Sequence, residues 1–297
     1  MSVRRVLVVM TTMTATPALD AYERLAPVYD HFTAGYDHDA WIERLERIAC
    51  RHGLRGRRAL DVACGTGKSF EPLLRRGYDV TACDLSPAMV AQARARDGVD
   101  PARVVVADMR DLPLLGRFDL VTCLDDAVNY LLSDEDLEAA FRSVARLLAP
   151  GGVYVFDANS IATYRAGFSE RATFEQPLAA AIWRGETTAP IGPGAVCAAS
   201  IEIAGAPAPS RHVQRHHPEP AIRRALATAG LACRAVLGQS TGAVLHAVAD
   251  EDAHTKLVYV AGRADQSLPS NVSREEVKRT WTSSVRSSDP SSVRSDA

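Results

Sequence analysis

The sequence of 297 residues lacks several features that would assign it to a class at once. Its six cysteines include no Cys-x-x-Cys pair and no tight cluster, so neither a disulfide framework nor a zinc site is indicated. Lysine and arginine number 34 against 36 acidic residues, which leaves no positive excess for nucleic acid. No apolar run approaches the roughly 20 residues of a membrane-spanning helix. We therefore predict a protein of the reducing cytoplasm that binds neither nucleic acid nor membrane.

The N-terminus carries Arg4 and Arg5 before a short apolar run at residues 6–10. This run is shorter than the roughly 7–15 residues of a secretory signal core. Met10 and Met13 are alternative starts, so we expect the first dozen residues to be a dispensable extension.

What the sequence does contain, from Arg58 onward, is an alternation of strand and helix patterns. Strands are predicted at residues 59–63, 79–83, 103–107, 118–124 and 153–157. Helices between them begin at recognisable caps, such as Ser86 followed by Pro87 and Ser133 followed by acidic residues. This rhythm is typical of an α/β fold with a doubly wound, mostly parallel sheet.

The pattern changes on either side of this alternation, and the whole sequence divides into six predicted segments. Residues 171–216 are divided by Gly and Pro into β-hairpins, which we interpret as an antiparallel β insertion after strand 5 that covers the substrate. Residues 263–297 are Ser-rich, repeat Ser-Ser-Val-Arg-Ser and lack apolar spacing, so we expect disorder. The other predicted segments are an extended N-terminus (1–19), a helical aromatic arm or lid (20–57), the cofactor-binding core (58–170) and its completion (217–262).

The most informative segment is residues 61–67, where a buried strand ends in a turn with Gly65 and Gly67. Glycine permits positive φ angles and close approach of the backbone to a ligand. Asp84 ends the next strand at about the 20-residue spacing expected of a carboxylate that binds ribose hydroxyls. The pairing predicts a nucleoside-binding site.

Three ligand classes use such a turn. A dinucleotide fingerprint needs a third glycine, but Phe70 stands in that place. Gly67-Lys68-Ser69 resembles the end of a P-loop, yet Val62 stands where its first glycine belongs and the loop is short. The remaining candidate is S-adenosylmethionine, and the NTPase alternative predicts magnesium-dependent ATP binding instead.

Five motifs together resemble those of class I S-adenosylmethionine-dependent methyltransferases. They are residues 61–67, 84–86, 107–109, 118–121 and 147–152, in the family's order. Residues 26–32 and 123–130 further resemble bacterial small-molecule N-methyltransferases of the amino-sugar and lincosamide-antibiotic type. The resemblance implies a Rossmann-like, seven-stranded sheet, a transferase of antibiotic biosynthesis, and S-adenosyl-L-methionine as cofactor.

The resemblance also implies the roles of individual residues. Asp84 would accept the ribose hydroxyls, Asp108 and Met109 would bracket the adenine, and the Leu124 backbone would face the methionine amino group. The complete implied cofactor-binding set is Trp41, Asp61, Ala63, Gly65, Gly67, Asp84, Leu85, Met89, Asp108, Met109 and Leu124. No metal is required, because a sulfonium methyl is already electrophilic and transfer depends on positioning.

The acceptor side is less specific. The predicted catalytic residues are Tyr29, Phe32, Tyr36, Asp126 and Asn129. Aromatic rings of the arm either surround the cationic methyl or pack on the domain. His212, Gln214 and His216 alternate on one predicted strand, either toward the pocket or, as we favour, as a polar strand face.

No acid is spaced to form an evident pair with a histidine, and a hydroxyl acceptor would need a general base. The sequence therefore favours methylation of an amine in a small-molecule acceptor. The alternatives are O-methylation of an alcohol and a regulatory protein that binds the cofactor without catalysis. A homo-oligomer is compatible with the sequence.

Overall fold

The structure is a computed structural model that describes residues 16–100, 103–176, 180–206 and 208–265. Its main sheet has eight strands in the order β11-β10-β12-β5-β4-β1-β2-β3. Strands β5, β4, β1, β2 and β3 are mutually parallel, and β12 pairs antiparallel with both β5 and β10. The predicted α/β class with a mostly parallel sheet is confirmed.

The strands of the main sheet begin and end as follows: β1 Arg58–Val62, β2 Asp79–Asp84, β3 Val104–Val106, β4 Phe118–Cys123, β5 Leu148–Asn159, β10 Leu231–Ser240, β11 Val244–His246 and β12 Lys256–Arg263. The helices are α1 Pro17–Leu25, α2 Tyr29–Phe32, α3 His38–Arg51, α4 Glu71–Arg75, α5 Pro87–Arg94, α6 Asp134–Leu147, α7 Ile161–Gly167 and α8 Glu219–Thr228. A 3-10 turn, Ala26–Val28, joins α1 to α2.

Two apolar cores lie on the two faces of the main sheet. In β5, Val153 and Val155 belong to the core packed under α3, whereas Tyr154 and Phe156 belong to the core packed under α6 and α8. Successive side chains of a strand point to opposite faces, so a strand buried on both faces is continuously apolar. This is why residues 153–156 show no polar alternation.

A second, antiparallel sheet of four strands follows α7. It contains β6 Thr173–Gln176, β7 Ala181–Gly185, β8 Val196–Ile203 and β9 Ser210–Arg215, in that spatial order. Helix α1 packs against β9, and Leu25 joins Ile201 and Ile203 in a small apolar cluster. The predicted β insertion therefore lies beside the N-terminal arm, over the carboxyl end of the main sheet.

Two predictions about the fold need correction. The main sheet has eight strands and not seven, because the short segment Val244–His246 pairs with the edge of β10. Helix α1 begins at Pro17, inside the segment predicted as extended, where Thr16 accepts a hydrogen bond from the Leu19 amide and Pro17 occupies the first turn. The predicted N-terminal extension at residues 1–12 and all of the Ser-rich tail beyond Asp265 lie outside the described residues.

Candidate functional site

A first cavity opens at the carboxyl ends of β1, β2 and β4, where ligands bind in doubly wound sheets. The N-terminal arm closes its other side. Its wall consists of residues 16, 18, 19, 22, 29, 38, 63–65, 68, 69, 84–86, 107–110, 124, 125, 127, 130 and 131.

The glycine turn after β1 fixes one wall of this cavity. Gly65 has a φ of +54°, and a Cβ at this position would lie 3.6 Å from the Tyr29 ring. Gly67 has a φ of +94°, and its Cβ would lie 2.7 Å from the Phe70 ring. Ala63 also has a positive φ, 56°, which costs free energy in a residue with a side chain. The turn is thus held in a conformation that favours glycine and brings bare backbone to the cavity.

Asp84 forms the adjacent wall at the end of β2. Its Oδ2 accepts a hydrogen bond from the Gly65 amide at 2.8 Å, and its Oδ1 accepts one from the Ser86 amide at 2.9 Å. Burial raises the pKa of Asp84 to about 6, against the lowering effect of these amide hydrogen bonds. The carboxylate is therefore rigidly oriented, and each oxygen keeps lone-pair capacity for a ligand hydroxyl.

Asp108 reaches the cavity with much of its hydrogen-bonding capacity already used. The Arg110 guanidinium donates to both of its oxygens, at 2.6 Å from Nη2 to Oδ2 and 3.1 Å from Nε to Oδ1. Arg110 also contacts Asp136 at the start of α6. Asp108 and Arg110 together give this end of the cavity a planar, polar edge.

A second cavity lies between the arm, the main sheet and the four-stranded sheet. Its wall includes aromatic rings at Tyr36, Phe168 and Trp183 and polar groups at His212 and Gln214. The two cavities share five wall residues: Tyr22, Tyr29, His38, Asp125 and Tyr130. We call these five residues the junction.

Asp125 and Asp126 follow β4 and carry the charge of this region. Both adopt left-handed φ angles, 57° and 52°. The buried Asp157 carboxylate accepts hydrogen bonds from both of their amides, at 3.0 and 2.6 Å. Lys256 forms ion pairs with Asp126 at 2.8 Å and with Asp157 at 3.2 Å. The strained turn is thus stabilised by a carboxylate beneath it and an ammonium beside it.

His38 lies within ion-pair distance of Asp125, with 3.4 Å between Nε2 and Oδ2. Burial acts to raise the pKa of Asp125, but the hydrogen bond from His38 and the charge of Lys256 outweigh it, and the pKa is lowered. Asp125 is therefore ionised at the junction. The expectation that no acid pairs with a histidine there is wrong, because 87 residues separate the partners along the chain and only the fold brings them together.

A chain of hydrogen bonds leads from the junction to β9. Tyr22 Oη lies 3.1 Å from Tyr130 Oη, which lies 2.7 Å from His212 Nδ1. His212 Nε2 lies 2.9 Å from Ser210 Oγ. Burial lowers the pKa of His212 to about 4, so the imidazole is neutral near pH 7. Of the two interpretations of the alternating residues, the one toward the pocket holds for His212 and Gln214, which are buried on the wall of the second cavity. His216 is buried as well and pairs with Glu251 at 2.9 Å.

The structure places most of the predicted cofactor-binding residues on the first cavity. Those on its wall are Ala63, Gly65, Asp84, Leu85, Asp108, Met109 and Leu124. Four others lie off the wall. Trp41 and Met89 are fully buried in the core, Gly67 packs on Phe70, and Asp61 accepts hydrogen bonds from Ser69 and Thr122. A cofactor-binding role for these four residues stays a prediction.

The predicted catalytic residues divide in the same way. Tyr29, Phe32, Tyr36 and Asp126 lie on the wall of the second cavity. Asn129 does not, because its side chain is fully buried, donates to the Arg215 carbonyl and accepts from the Asn159 amide. Sequence reasoning did not single out Tyr22 or Lys256 for the site. Lys256 begins the strand β12 directly before a continuous apolar run, and a charge next to buried residues was the available signal.

No group of His, Cys, Asp and Glu side chains among the described residues has the arrangement of a metal site. None of the helices in the described part of the chain combines the length and hydrophobicity needed to cross a bilayer.

Comparison with known proteins supports the resemblance. Residues 59–152 match a protein family described as a methyltransferase domain. The chain is 34% identical over 149 residues to dTDP-3-amino-3,6-dideoxy-alpha-D-glucopyranose N,N-dimethyltransferase of Streptomyces fradiae, covering 50% of this chain and 58% of that protein. It is 35% identical over 162 residues to ubiquinone biosynthesis O-methyltransferase of Alkalilimnicola ehrlichii, covering 47% of this chain and 63% of that protein.

These matches span less than two thirds of the relatives' own lengths. Among solved structures, an S-adenosylmethionine-dependent methyltransferase from Clostridium acetobutylicum ATCC 824 superposes with a TM-score of 0.66 at 23% identity, covering 82% of this chain and 98% of that one. This likeness shows the fold. The family match confirms the resemblance of residues 59–152 to methyltransferases, and the superposition confirms the predicted fold.

Proposed function

We propose, from the methyltransferase domain at residues 59–152, that this protein transfers a methyl group from S-adenosylmethionine to an amine nitrogen of a small-molecule acceptor. The observation that carries the proposal is the junction, where the cavity beside Asp84 meets a second cavity lined by the arm and the insertion. A methyl donor in the first cavity and an acceptor in the second would meet there. Proximity of this kind supplies much of the rate enhancement of a group transfer.

The first cavity fits S-adenosylmethionine by the chemistry of its walls. Asp84 offers two oriented oxygens to the ribose hydroxyls, and the bare backbone at Gly65 lies where a methionine portion must pass. Leu85 and Met109 provide apolar surface for an adenine ring. When bound, the cofactor supplies an electrophilic methyl group on a sulfonium sulfur. The residues of this chain bind it, orient it and exclude water.

A phosphate ligand fits the same turn less well. The Lys68 ammonium donates to the Thr33 carbonyl at 2.9 Å, to Thr33 Oγ1 at 3.0 Å and to the Asp30 carbonyl at 3.4 Å. All three of its protons are therefore directed at the arm. Asp84 would also repel a phosphate. These contacts argue against the NTPase alternative.

The charges of the junction suit an amine acceptor. Asp125 is ionised there, and its charge attracts a primary or secondary ammonium ion. Asp125 can orient the ammonium ion, and the acceptor proton can pass to His38 or to water before the nitrogen attacks. The phenols of Tyr22 and Tyr29 have pKa values raised well above 10, first by burial, so they remain neutral. Neutral phenol rings are compatible with a cationic methyl group beside them.

The charges on the wall of the second cavity argue against a nucleotide-linked acceptor. Its charged wall residues within the described chain are Asp125, Asp126 and Lys256, and Lys256 is already paired. A nucleoside diphosphate would find no excess of positive charge among them. We therefore propose an uncharged or cationic amine, such as a free amino sugar of a secondary metabolite, rather than a nucleotide-linked sugar. Antibiotic biosynthesis in the cytoplasm, where the six free cysteines stay reduced, fits this acceptor.

The second candidate function is O-methylation. It is favoured by one observation, the pairing of His38 with Asp125 at the junction, which provides a general base for a hydroxyl acceptor. A matched pair of acceptors separates the two functions. An amino sugar and its hydroxyl analogue would each be incubated with the full chain and S-adenosylmethionine carrying a ¹³C methyl group.

Mass spectrometry would count the transferred methyl groups, and the ¹³C shift would assign each to nitrogen or oxygen. We expect N-methyl product from the amino compound alone. Transfer to oxygen would support the second candidate. Calorimetric binding of S-adenosylmethionine without transfer to any amine or alcohol of a broad panel would indicate a regulatory protein, and absence of binding would refute the proposal.

A further inference from the structure

The hydrogen-bond chain from the junction to β9 gives His212 a specific role. We propose that His212 is a positioning residue that turns the phenolic protons of Tyr130 and Tyr22 toward β9, so that these two phenols present only oxygen lone pairs to the acceptor amine. This inference rests on the proposed function.

The acidity of the groups decides which one donates in each hydrogen bond from the junction to β9. Tyr130 Oη and His212 Nδ1 are 2.7 Å apart, which is short for a bond between an oxygen and a nitrogen. A phenol, with a pKa near 10, is a stronger acid than a neutral imidazole N–H, and an imidazole nitrogen is the stronger base. The proton therefore lies on Tyr130 and points to His212. The other ring nitrogen then carries the hydrogen and donates to Ser210 Oγ at 2.9 Å.

The donor in the remaining hydrogen bond, between Tyr22 and Tyr130, follows from this assignment. Since Tyr130 donates to His212, its oxygen can accept, and Tyr22 donates to it at 3.1 Å. Tyr22 Oη is then left with its lone pairs facing open space at the junction. Both phenols line both cavities, so their orientation is decided at the place where the two ligands would meet.

His212 is well placed to enforce this direction. The residue is 2% exposed, and burial lowers its pKa to about 4, so the imidazole is neutral and one of its ring nitrogens is an acceptor. Its ring stacks on Trp183 at 6.4 Å between centroids and meets the Tyr22 ring edge-on at 5.6 Å. These contacts fix the ring plane, and Ser210 Oγ can accept the Nε2 proton that the proposed tautomer requires.

The consequence concerns the nucleophile. An amine attacks through its single lone pair, and a phenolic O–H pointing at it would donate a hydrogen bond to that lone pair and mask it. With the Tyr130 proton directed at His212 and the Tyr22 proton at Tyr130, Tyr22 Oη can accept an N–H of the amine but cannot donate to it. That bond leaves the nitrogen lone pair free to point at the methyl group.

A first experiment needs no catalysis. The full chain labelled with [¹⁵N]histidine would be studied by long-range ¹H–¹⁵N correlation, with His212→Phe used to assign the signals. We expect His212 to be neutral, with the proton on Nε2 and none on Nδ1. A proton on Nδ1 would make His212 the donor to Tyr130 and would overturn the proposal. Because this measurement needs no substrate, it distinguishes failure of the inference from failure of the proposed function.

A second experiment compares tyrosine variants at saturating acceptor. Tyr130→Phe frees the Tyr22 proton, so kcat should fall about tenfold, the factor that one ordinary hydrogen bond supplies. Tyr22→Phe leaves the bond from Tyr130 to His212 intact and should cost less. The double variant Tyr22→Phe with Tyr130→Phe removes both protons and should be faster than Tyr130→Phe alone.

A purely structural role would give the opposite order, because a second substitution would add to the damage of the first. A double variant as slow as Tyr130→Phe, or slower, would overturn the proposal. Calorimetry with S-adenosylmethionine and thermal melting would accompany each variant. Variants with unchanged cofactor affinity and melting temperature report on the junction itself.

Discussion

Asp157, near the end of β5, accepts a hydrogen bond from the backbone amide of Asp126 at 2.6 Å. It accepts another from Asp125 at 3.0 Å, and both donors have left-handed φ angles. Two consecutive amides in this conformation form a concave site for an anion, which Asp157 fills from within the protein. The position of Asp125 at the junction therefore depends on a residue that lines neither cavity.

This dependence predicts a large effect of Asp157→Asn. An asparagine side chain has one acceptor oxygen, so one amide loses its partner, and Lys256 loses an ion-pair partner. We expect a loss of about 2–4 kcal/mol in the free energy of unfolding, measured by urea titration. Asp111→Asn is the control, because that side chain is 89% exposed, and it should change the stability little. Equal stability of the two variants would contradict this account.

Asp84→Asn tests the assignment of the first cavity. The variant keeps one acceptor oxygen but places an NH₂ group against an amide donor, so it cannot accept two ribose hydroxyls as well. We expect S-adenosylmethionine to bind about 10–100-fold more weakly by calorimetry, equivalent to about 1–3 kcal/mol. Asp79→Asn, at the exposed start of the same strand, should bind as the unaltered protein does. Unchanged affinity in Asp84→Asn would show that the cofactor binds outside the first cavity.

The raised pKa of Asp84, about 6, predicts a pH dependence of that binding. The ionised carboxylate is the form that accepts two hydroxyl protons, so the affinity is full above the pKa and is lost as the pH falls through it. We expect affinity to fall about tenfold between pH 7 and pH 5. The Asp84→Asn variant should lack this dependence. A flat profile in the unaltered protein would show that another group holds the ribose.

The sequence predicted the first cavity better than the second for a physical reason. Gly65 and Asp84 are specified by local chemistry, since a positive φ requires glycine and a strand end carries the acid. His38 and Asp125, in contrast, are brought together by packing of α3 against the sheet. No local pattern reports such a contact, and the same holds for Tyr130 and His212.

Trp41 and Asn129 show that residue type alone can point to a ligand-binding role for a residue that the fold buries. A tryptophan in an aromatic arm and an asparagine after β4 are residue types that bind ligands, yet both are fully buried and serve the scaffold. Helix α3 is amphipathic, and its period places Trp41 on the same buried face as Leu45 and Ile48. That periodicity was a better guide to Trp41 than its residue type.

Gly67→Ala tests the geometry of the turn. An alanine there would adopt a φ of +94° and place its Cβ 2.7 Å from the Phe70 ring. Gly77→Ala is a matched control, because Gly77 has a φ of +78° with no atom within 4 Å of the added Cβ. We expect the control to cost about 1–2 kcal/mol from backbone strain alone. Gly67→Ala should cost about 1–3 kcal/mol more from the steric clash, by urea titration. Equal costs would mean that Phe70 moves freely.

The last prediction concerns how the arm is fastened over the first cavity. Glu23, on α1, accepts hydrogen bonds from Ser86 Oγ at 2.5 Å and from the Ala88 amide at 2.9 Å, so it ties the arm to the start of α5. A carboxylate is favoured at that end of a helix because the first amides lack partners. Ser86 itself lines the cavity.

Glu23→Ala should therefore release bound cofactor faster, since the arm must move for the ligand to leave. We expect the dissociation rate of S-adenosylhomocysteine, measured by stopped flow, to rise about tenfold or more, because two charge-assisted hydrogen bonds are lost. Asp20→Ala removes a carboxylate from the same helix that pairs only with the exposed Arg24, and its rate should stay near that of the unaltered protein. If both variants released the ligand equally fast, the effect would lie in the stability of α1 and not in its attachment to α5.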